Sequence, residues 1–151
     1  GMSSRLFLEL REERALVYDV HSWLGEYKDT GSITIYAGCE PESANLVTQL
    51  CLEEFEKLIN SIDDEELTKG KQMVKGHILL SSEDSRSVSS WLGAQELLLG
   101  EITSIEDTLK KIDMVTVDDI KKIGERLFQP NKATLAAVGP FTKDIFKNLG
   151  L

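Results

Sequence analysis

The pattern of apolar and polar positions predicts a chain that begins with a helix and continues with two strands. Residues 2–14 carry apolar side chains at helical spacing, and Ser3 or Ser4 stands in front of them as the N-cap. Residues 16–24 are rich in β-branched and aromatic types, and residues 31–38 alternate apolar with polar side chains. Because a turn-rich connection joins the two strands, we expect them to form an antiparallel pair.

The middle of the chain is predicted to be helical. Pro41 fits the first turn of a long helix that extends to residue 62, because the first helical position does not need a backbone N–H. Four more helical patterns follow, with predicted bounds of 66–82, 84–99, 103–111 and 116–128. Thr103 and Glu106 form a predicted capping box at the start of the third of these helices, and Pro130 ends the last one.

A last strand and the overall order of elements predict the fold class. Residues 132–139 are small and apolar, which is typical of a strand buried on both faces. Strands with helices gathered between them predict an α+β fold, a two-layer sandwich in which a mostly antiparallel sheet packs against helices. No internal repeat or linker interrupts the pattern, so residues 1–151 are predicted to form a single domain.

The charge and hydropathy of the chain exclude two classes of partner. The net charge is -9, from 26 acidic and 17 basic residues, whereas nucleic-acid binding depends on clustered lysine and arginine. The sequence contains no apolar run of the roughly 18 residues that a membrane span requires. We therefore expect neither a nucleic acid nor a membrane as a partner.

The cysteines and the first residue give indications of cellular context. Cys39 falls at a predicted strand end and Cys51 within a predicted helix, so we expect two free thiols rather than a disulfide. Free thiols are typical of a reducing compartment, which favours a cytoplasmic location and leaves the mitochondrial matrix and the periplasm as alternatives for a parent protein. The chain begins with Gly1 and enters a helix at once, so we expect a fragment of a longer protein.

Sequence motifs for metal or nucleophilic catalysis are absent. The two histidines, His21 and His77, are far apart in sequence and belong to no paired histidine motif, so neither is predicted to bind a metal. His21 is expected on a strand face and His77 on a helix. The acidic run 63–66 lacks the alternating spacing of a calcium loop and is interpreted as a solvated turn or helix start. No nucleophile elbow or phosphate-binding loop is present. The sequence thus predicts no metal site in this chain.

Two residues at the first helix-to-strand junction remain as candidates for chemistry. Arg11 and Tyr18 are seven positions apart. Arg11 has a structural explanation, because it offsets neighbouring glutamates and suits the C-terminal end of a helix. Tyr18 has one as well, as a strand aromatic with its hydroxyl at the surface. The alternative is that both side chains face a substrate, and the residues by themselves leave the two interpretations open.

Several motifs in the chain resemble a known protein family. The run "GMSSRLF", followed by "LRE" and "LVYDV", is similar to the start of the second domain of zinc peptidases of the pitrilysin and insulinase family, in the branch that includes mitochondrial processing peptidase. The later runs "IYAGCEPE", "WLGAQELLLG" and "AAVGPF" resemble the same domain in order and spacing. The resemblance covers nearly the whole chain and is weakest between residues 60 and 85.

The resemblance implies a fold and a division of labour. It implies the metallopeptidase fold of mitochondrial processing peptidase, in which an N-terminal domain binds zinc and a similarly folded second domain faces it across a chamber. The second domain supplies an arginine and a tyrosine, which correspond here to Arg11 and Tyr18 as catalytic and substrate-binding residues. By this resemblance Tyr18 donates its hydroxyl to the oxygen of the tetrahedral intermediate, and Arg11 anchors the substrate.

Three functional hypotheses follow from the resemblance. The leading one is that this chain is the substrate-binding and transition-state-stabilising half of a zinc-dependent metalloendopeptidase, inactive by itself, with a peptide substrate and a zinc-bearing N-terminal domain as partners. Zinc is then a cofactor of the parent enzyme and not of this chain, and the parent is a possible homodimer. The second is a non-catalytic subunit that pairs with a separate zinc-bearing subunit. The third is a structural or binding homologue without peptidase activity.

The chain departs from the family pattern at one position beside the two candidates. Ala15 stands where glycine is common in the family, directly before Leu16. If this residue adopts positive φ at the helix end, the alanine side chain costs about 1 kcal/mol. This departure leaves open whether Arg11 and Tyr18 have the relative geometry that the resemblance implies.

Overall fold

The computed structural model describes residues 2–129 and 132–149 of the chain. The backbone divides into two compact units. The first unit consists of Gly1–Glu26, Gly31–Ser61 and Ile123–Leu151, and the second consists of Tyr27–Thr30 and Ile62–Lys122.

The order of elements is a short helix, a β-hairpin and a run of helices. The helices and strands are a π-helix (Phe7–Glu13), β1 (Val17–Glu26), β2 (Gly31–Cys39), a 3-10 turn (Pro41–Ser43), α1 (Ala44–Ser61), α2 (Asp64–Ser81), α3 (Ser85–Leu99), α4 (Ile105–Met114), α5 (Val117–Leu127) and a final 3-10 helix (Lys143–Leu149). This confirms the α+β fold class.

The hairpin of β1 and β2 is antiparallel, as the sequence predicts. The side chains of β2 that pack against the core are Ile35, Ala37 and Cys39. They lie two residues apart, so they share the inner face of the hairpin. The alternate residues of β2, which include Tyr36, therefore lie on the outer face.

The core of the first unit joins the π-helix, the hairpin and α1. Its buried members are Leu10, Val17, Val20, Val47, Leu50 and Cys51. The three core residues from α1 recur at helical spacing, which places them on one face of that helix. Complete burial of an aliphatic side chain of this size contributes about 1.5 to 3 kcal/mol. The inner face of the hairpin is thus covered by α1, in the two-layer arrangement that the sequence predicts.

Side-chain caps start the helices of the second unit. Asp63, Asp84 and Ser104 each accept a hydrogen bond from the backbone N–H three residues later. Each cap satisfies one N–H that the first turn leaves unpaired. The acidic run 63–66 is therefore the beginning of α2. The predicted cap of α4 at Thr103 is wrong by one residue, because Ser104 is the residue whose hydroxyl accepts from the Asp107 amide at 3.0 Å.

Two further expectations from the sequence need correction. The first helix is of the π type over Phe7–Glu13 and not a regular α-helix over 2–14. The predicted strand 132–139 is not formed. Residues 133–138 take part in no strand hydrogen-bond ladder, and the described sheet contains only β1 and β2. The proposed stop at Pro130 lies outside the described residues. Every described helix is too short or too polar to traverse a lipid bilayer.

Gly124 of α5 allows a close approach to α1 within the first unit. A Cβ atom at this position would lie 2.5 Å from Cγ1 of Ile59. Next to this contact, the rings of Phe55 and Phe128 stack with centroids 5.5 Å apart. The absence of a side chain at Gly124 is therefore a packing requirement and not a local backbone preference.

We expect Gly124→Ala to lower the free energy of unfolding by about 1 to 2 kcal/mol, because overpacking outweighs the better helix propensity of alanine. Gly76→Ala is the matched control, since nothing lies within 4 Å of a Cβ at this position in α2. The control should raise stability by up to about 1 kcal/mol. Denaturant unfolding of the two variants measures both changes, and a stabilised Gly124→Ala variant would contradict the packing argument.

Candidate functional site

The segment from Phe7 to Tyr18 contains three departures from regular backbone geometry, and the first is the π-helix itself. A π-helix bonds each N–H to the carbonyl five residues earlier, and such turns occur mostly as short insertions, often at functional sites. Leu10 is fully buried on this helix, whereas Arg11 is exposed. The guanidinium carbon of Arg11 lies 5.2 Å from the centroid of the Phe7 ring. Phe7 packs against the core, so its ring provides a fixed contact for the Arg11 guanidinium.

The second departure is at Ala15. Its φ is 50°, and it is the only non-glycine residue with positive φ in the described part of the chain. The turn lets the Leu16 amide donate to the Leu10 carbonyl at 2.8 Å, which closes the end of the π-helix. The left-handed conformation costs an alanine roughly 1 kcal/mol or more. The sequence analysis made the cost of alanine conditional on positive φ here, and the structure meets that condition.

The third departure is a β-bulge at Tyr18. Val17 pairs with Cys39 and Asp19 pairs with Gly38, so β1 advances by two residues while β2 advances by one. Tyr18 is the extra residue. Because of this insertion, Val17 and Val20 are both buried although they are three positions apart. A bulge changes the direction of its side chain, and Tyr18 is 64% exposed.

The hydroxyl of Tyr18 donates a hydrogen bond to a carboxylate oxygen of Glu40, which follows β2. This hydrogen bond raises the pKa of the Tyr18 phenol above its usual value, and desolvation and the negative charge of Glu40 act in the same direction. The phenol is therefore a neutral donor at physiological pH. The sequence analysis did not single out Glu40. The available signal was an acidic residue directly before Pro41, which by itself does not indicate a contact with Tyr18.

Arg11 and Tyr18 are thus both exposed, and both belong to the helix-to-strand junction of the first unit. Neither side chain is buried in the core. A side chain that contacts a substrate must be accessible, and both meet this condition. Their catalytic and substrate-binding roles stay predictions. The chemistry available is one planar set of N–H donors and one neutral O–H donor.

The two histidines lie on the elements where the sequence analysis expects them. His21 lies on β1 and His77 on α2, as predicted, and both are exposed. Within residues 2–129 and 132–149, no group of three or more His, Cys, Asp or Glu side chains is arranged to hold a metal ion. The residues described here therefore do not fit a zinc site.

The cysteines are free and poorly suited to nucleophilic chemistry. Burial raises the pKa of the Cys51 thiol to about 11. Burial also raises the pKa of Cys39, and the charge of Glu40 adds to that shift. A thiol must ionise to attack, so both groups are poor nucleophiles at neutral pH.

Comparison with known proteins identifies the family. Residues 1–74 match the family described as "Peptidase M16 inactive domain". A protein of Streptomyces coelicolor described as an uncharacterized zinc protease is 33% identical over 141 residues, which cover 93% of this chain. This chain belongs to the peptidase M16 family. The resemblance seen in the sequence is confirmed at the family level.

Solved structures show the same fold. A chain of complex III from Candida albicans aligns with 82% of this chain at a TM-score of 0.74 and 26% identity. A protease from Helicobacter pylori aligns with 83% of this chain at a TM-score of 0.71 and 24% identity. The chain spans about a third of the length of these proteins: 30% of the Streptomyces protein, 30% of the Candida chain and 31% of the Helicobacter chain.

Ala15→Gly is expected to raise the free energy of unfolding by about 0.5 to 1 kcal/mol, because relief of the positive-φ strain exceeds the entropy lost to a more flexible unfolded chain. Ala94→Gly in the exposed interior of α3 is the control, and it should lower stability by about 1 kcal/mol. Thermal or denaturant unfolding measures both. Equal destabilisation of the two variants would show that Ala15 is not strained.

Glu40→Gln is expected to lower the pKa of Tyr18, since the change removes a negative charge and weakens the hydrogen bond that raises this pKa. Phenolate absorbance during an alkaline titration, with a Tyr18→Phe difference curve to assign the signal, gives the value. Glu56→Gln, an exposed change on α1, is the control. An unaltered Tyr18 titration in the Glu40 variant would contradict the contact.

Proposed function

We propose that this chain is the substrate-binding and transition-state-stabilising half of a zinc-dependent metalloendopeptidase that hydrolyses peptides in a closed chamber. The observation that carries the proposal is the irregular backbone from the π-helix to the bulge. It presents Arg11 and Tyr18 outward at the two positions where the family resemblance expects an arginine and a tyrosine. Strain and bulges that persist in a fold are common beside functional sites.

Tyr18 is the proposed donor to the oxygen of the tetrahedral intermediate. The phenol is protonated at physiological pH, as an O–H donor must be, and the upward shift of its pKa acts in the same direction. The hydroxyl exchanges its bond to Glu40 for one to the substrate oxygen as negative charge develops there. A preorganised donor aimed at such a charge is among the strongest contributions to acyl-transfer catalysis.

Arg11 is the proposed anchor for substrate backbone carbonyls or a substrate carboxylate. Its guanidinium presents several N–H groups in one plane, which suits paired acceptor oxygens. The guanidinium itself lies over the ring of Phe7, which packs against the core, so the contact limits where the charged group can lie while Arg11 stays exposed. The two side chains would then act on one substrate from neighbouring elements.

The zinc of the parent enzyme is proposed to bind to an N-terminal domain or subunit, since the described residues of this chain hold no suitable ligand cluster. On this proposal residues 1–151 form the second domain of the parent and do not hydrolyse peptides alone. A homodimer of the parent chain remains part of the proposal. The same site would also serve a chain that pairs with a separate zinc-bearing subunit.

The rival function is that of a structural homologue without peptidase activity. The likeness to a chain of complex III from Candida albicans favours it. The exposed arginine and the neutral phenol of this chain favour the peptidase instead, because both residue types are present at the positions where the family resemblance expects them.

Tyr18→Phe, introduced into the full-length protein with its zinc-bearing half, is expected to lower kcat about 10²- to 10³-fold with a much smaller change in KM, because the lost donor acts on the transition state. Tyr27→Phe is the matched control, since Tyr27 is 69% exposed and lies between β1 and β2. Steady-state hydrolysis of an internally quenched peptide measures the effect. Equal turnover in the two variants would remove the proposed role of Tyr18.

A further inference from the structure

The outer face of the hairpin carries a row of polar and aromatic side chains directly after the bulge. Asp19, His21 and Trp23 alternate along β1, so they lie on the same face. Tyr36 of β2 is the direct cross-strand partner of His21. We name this group of four residues the outer-face row. It begins at the residue that follows Tyr18, and the proposed catalytic roles of Arg11 and Tyr18 do not involve it.

The three rings of the outer-face row form a continuous surface. The His21 ring centroid is 5.0 Å from that of Tyr36 and 5.4 Å from that of Trp23, with planes tilted by 33° in both pairs. Trp23 is 46% exposed and Tyr36 is 48% exposed. Large aromatic side chains of soluble proteins are mostly buried, so three adjacent exposed rings on one strand pair mark a contact surface.

Gly38 gives Tyr36 the space to lie flat along the strand. A Cβ atom at Gly38 would be 3.3 Å from the Tyr36 hydroxyl, so that hydroxyl lies above the glycine. Gly38 is paired with Asp19 in the register of the hairpin. The backbone therefore places the tyrosine ring beside the end of the row that carries the carboxylate.

The charge of the row is negative. The Asp19 carboxylate lies 3.2 Å from Nδ1 of His21, which orients it on the outer face. A carboxylate offers about four acceptor sites, so this contact leaves it able to accept further bonds. Neither β1 nor β2 contains a lysine or an arginine that would neutralise the face.

We propose that the outer-face row is a subsite for a cationic side chain, arginine or lysine, of the peptide substrate. The aromatic faces attract a cation through their quadrupoles, and Asp19 supplies the opposite charge. An apolar side chain would use the rings but leave the remaining acceptor sites of the Asp19 carboxylate unused. The inference rests on the proposed peptidase function and deepens it, because Asp19 follows the proposed oxyanion donor in the chain.

The test uses the full-length protein with its zinc-bearing half and a set of quenched peptides. At each position in turn the set carries arginine, its neutral isostere citrulline, or leucine. At one position we expect arginine to exceed citrulline in kcat/KM by on the order of tenfold, as a cation–π contact plus a charge pair would give. Preference for leucine at every position would overturn the proposal.

Variants of the row localise the effect. Asp19→Asn and Trp23→Leu should each reduce the arginine-to-citrulline ratio several-fold, and Asp19→Glu should restore most of it. Glu56→Gln removes an exposed carboxylate from α1, which covers the inner face, and should leave the ratio unchanged. An unchanged ratio in both row variants would overturn the proposal, and the unfolding midpoints verify that each variant is folded.

The same measurements separate this inference from the proposed function. Tyr18→Phe should slow arginine and citrulline peptides equally, so the ratio stays constant while the rate falls. If the full-length protein hydrolyses no peptide, the peptidase proposal fails. Calorimetric affinities of the same arginine and citrulline peptides for that protein then decide the subsite. Equal affinities would overturn it, and tighter binding of the arginine peptide that Asp19→Asn abolishes would support it.

Discussion

The burial of Leu10 beneath the hairpin is the constraint on which the rest of the first unit depends. Leu10 is the largest fully buried side chain among the described residues, and its carbonyl also accepts from Leu16 across the reversal of the chain. One residue therefore fixes both the depth of the first helix and the point at which β1 begins. Arg11 follows Leu10 directly, so burial of the leucine determines that the arginine is exposed.

Hydrophobic burial outweighs the strain that this arrangement requires. Ala15 in the left-handed region costs roughly 1 kcal/mol or more, and a bulge gives up part of a strand ladder. Burial of Val17 and Val20 together requires that bulge, and each such side chain contributes about 1.5 to 3 kcal/mol. The outward position of Tyr18 is thus a consequence of placing both valines in the core.

Charge and hydrogen bonding then determine which donor and acceptor groups the exposed helix-to-strand junction offers. A hydrogen bond to Glu40 raises the pKa of the Tyr18 phenol, which is neutral at physiological pH, and burial raises the pKa of the Cys51 thiol to about 11. The surface beside Tyr18 therefore offers neutral and cationic donors rather than nucleophiles. Next to it, the outer-face row offers acceptors and aromatic faces. A peptide, which has carbonyl oxygens along its backbone and cations on some side chains, is complementary to both.

The sequence by itself determined the elements whose signals are local. The hairpin, α1 after Pro41 and the helices that follow were predictable because side-chain periodicity and capping residues act over a few positions. The family was also recognisable from sequence. Ala15 was visible there as a departure from a position where glycine is common, but only the structure shows that its φ is positive.

Only the tertiary structure decided the features that depend on distant residues. The π-helix and the residue inserted at Tyr18 both accompany the packing of apolar side chains into a shared core, and no local pattern reports where that core lies. Residues 133–138 have strand-like composition, but a ladder also requires a partner edge in register. The contact of Glu40 with Tyr18 spans 22 residues for the same reason: it exists only because β1 and β2 pair.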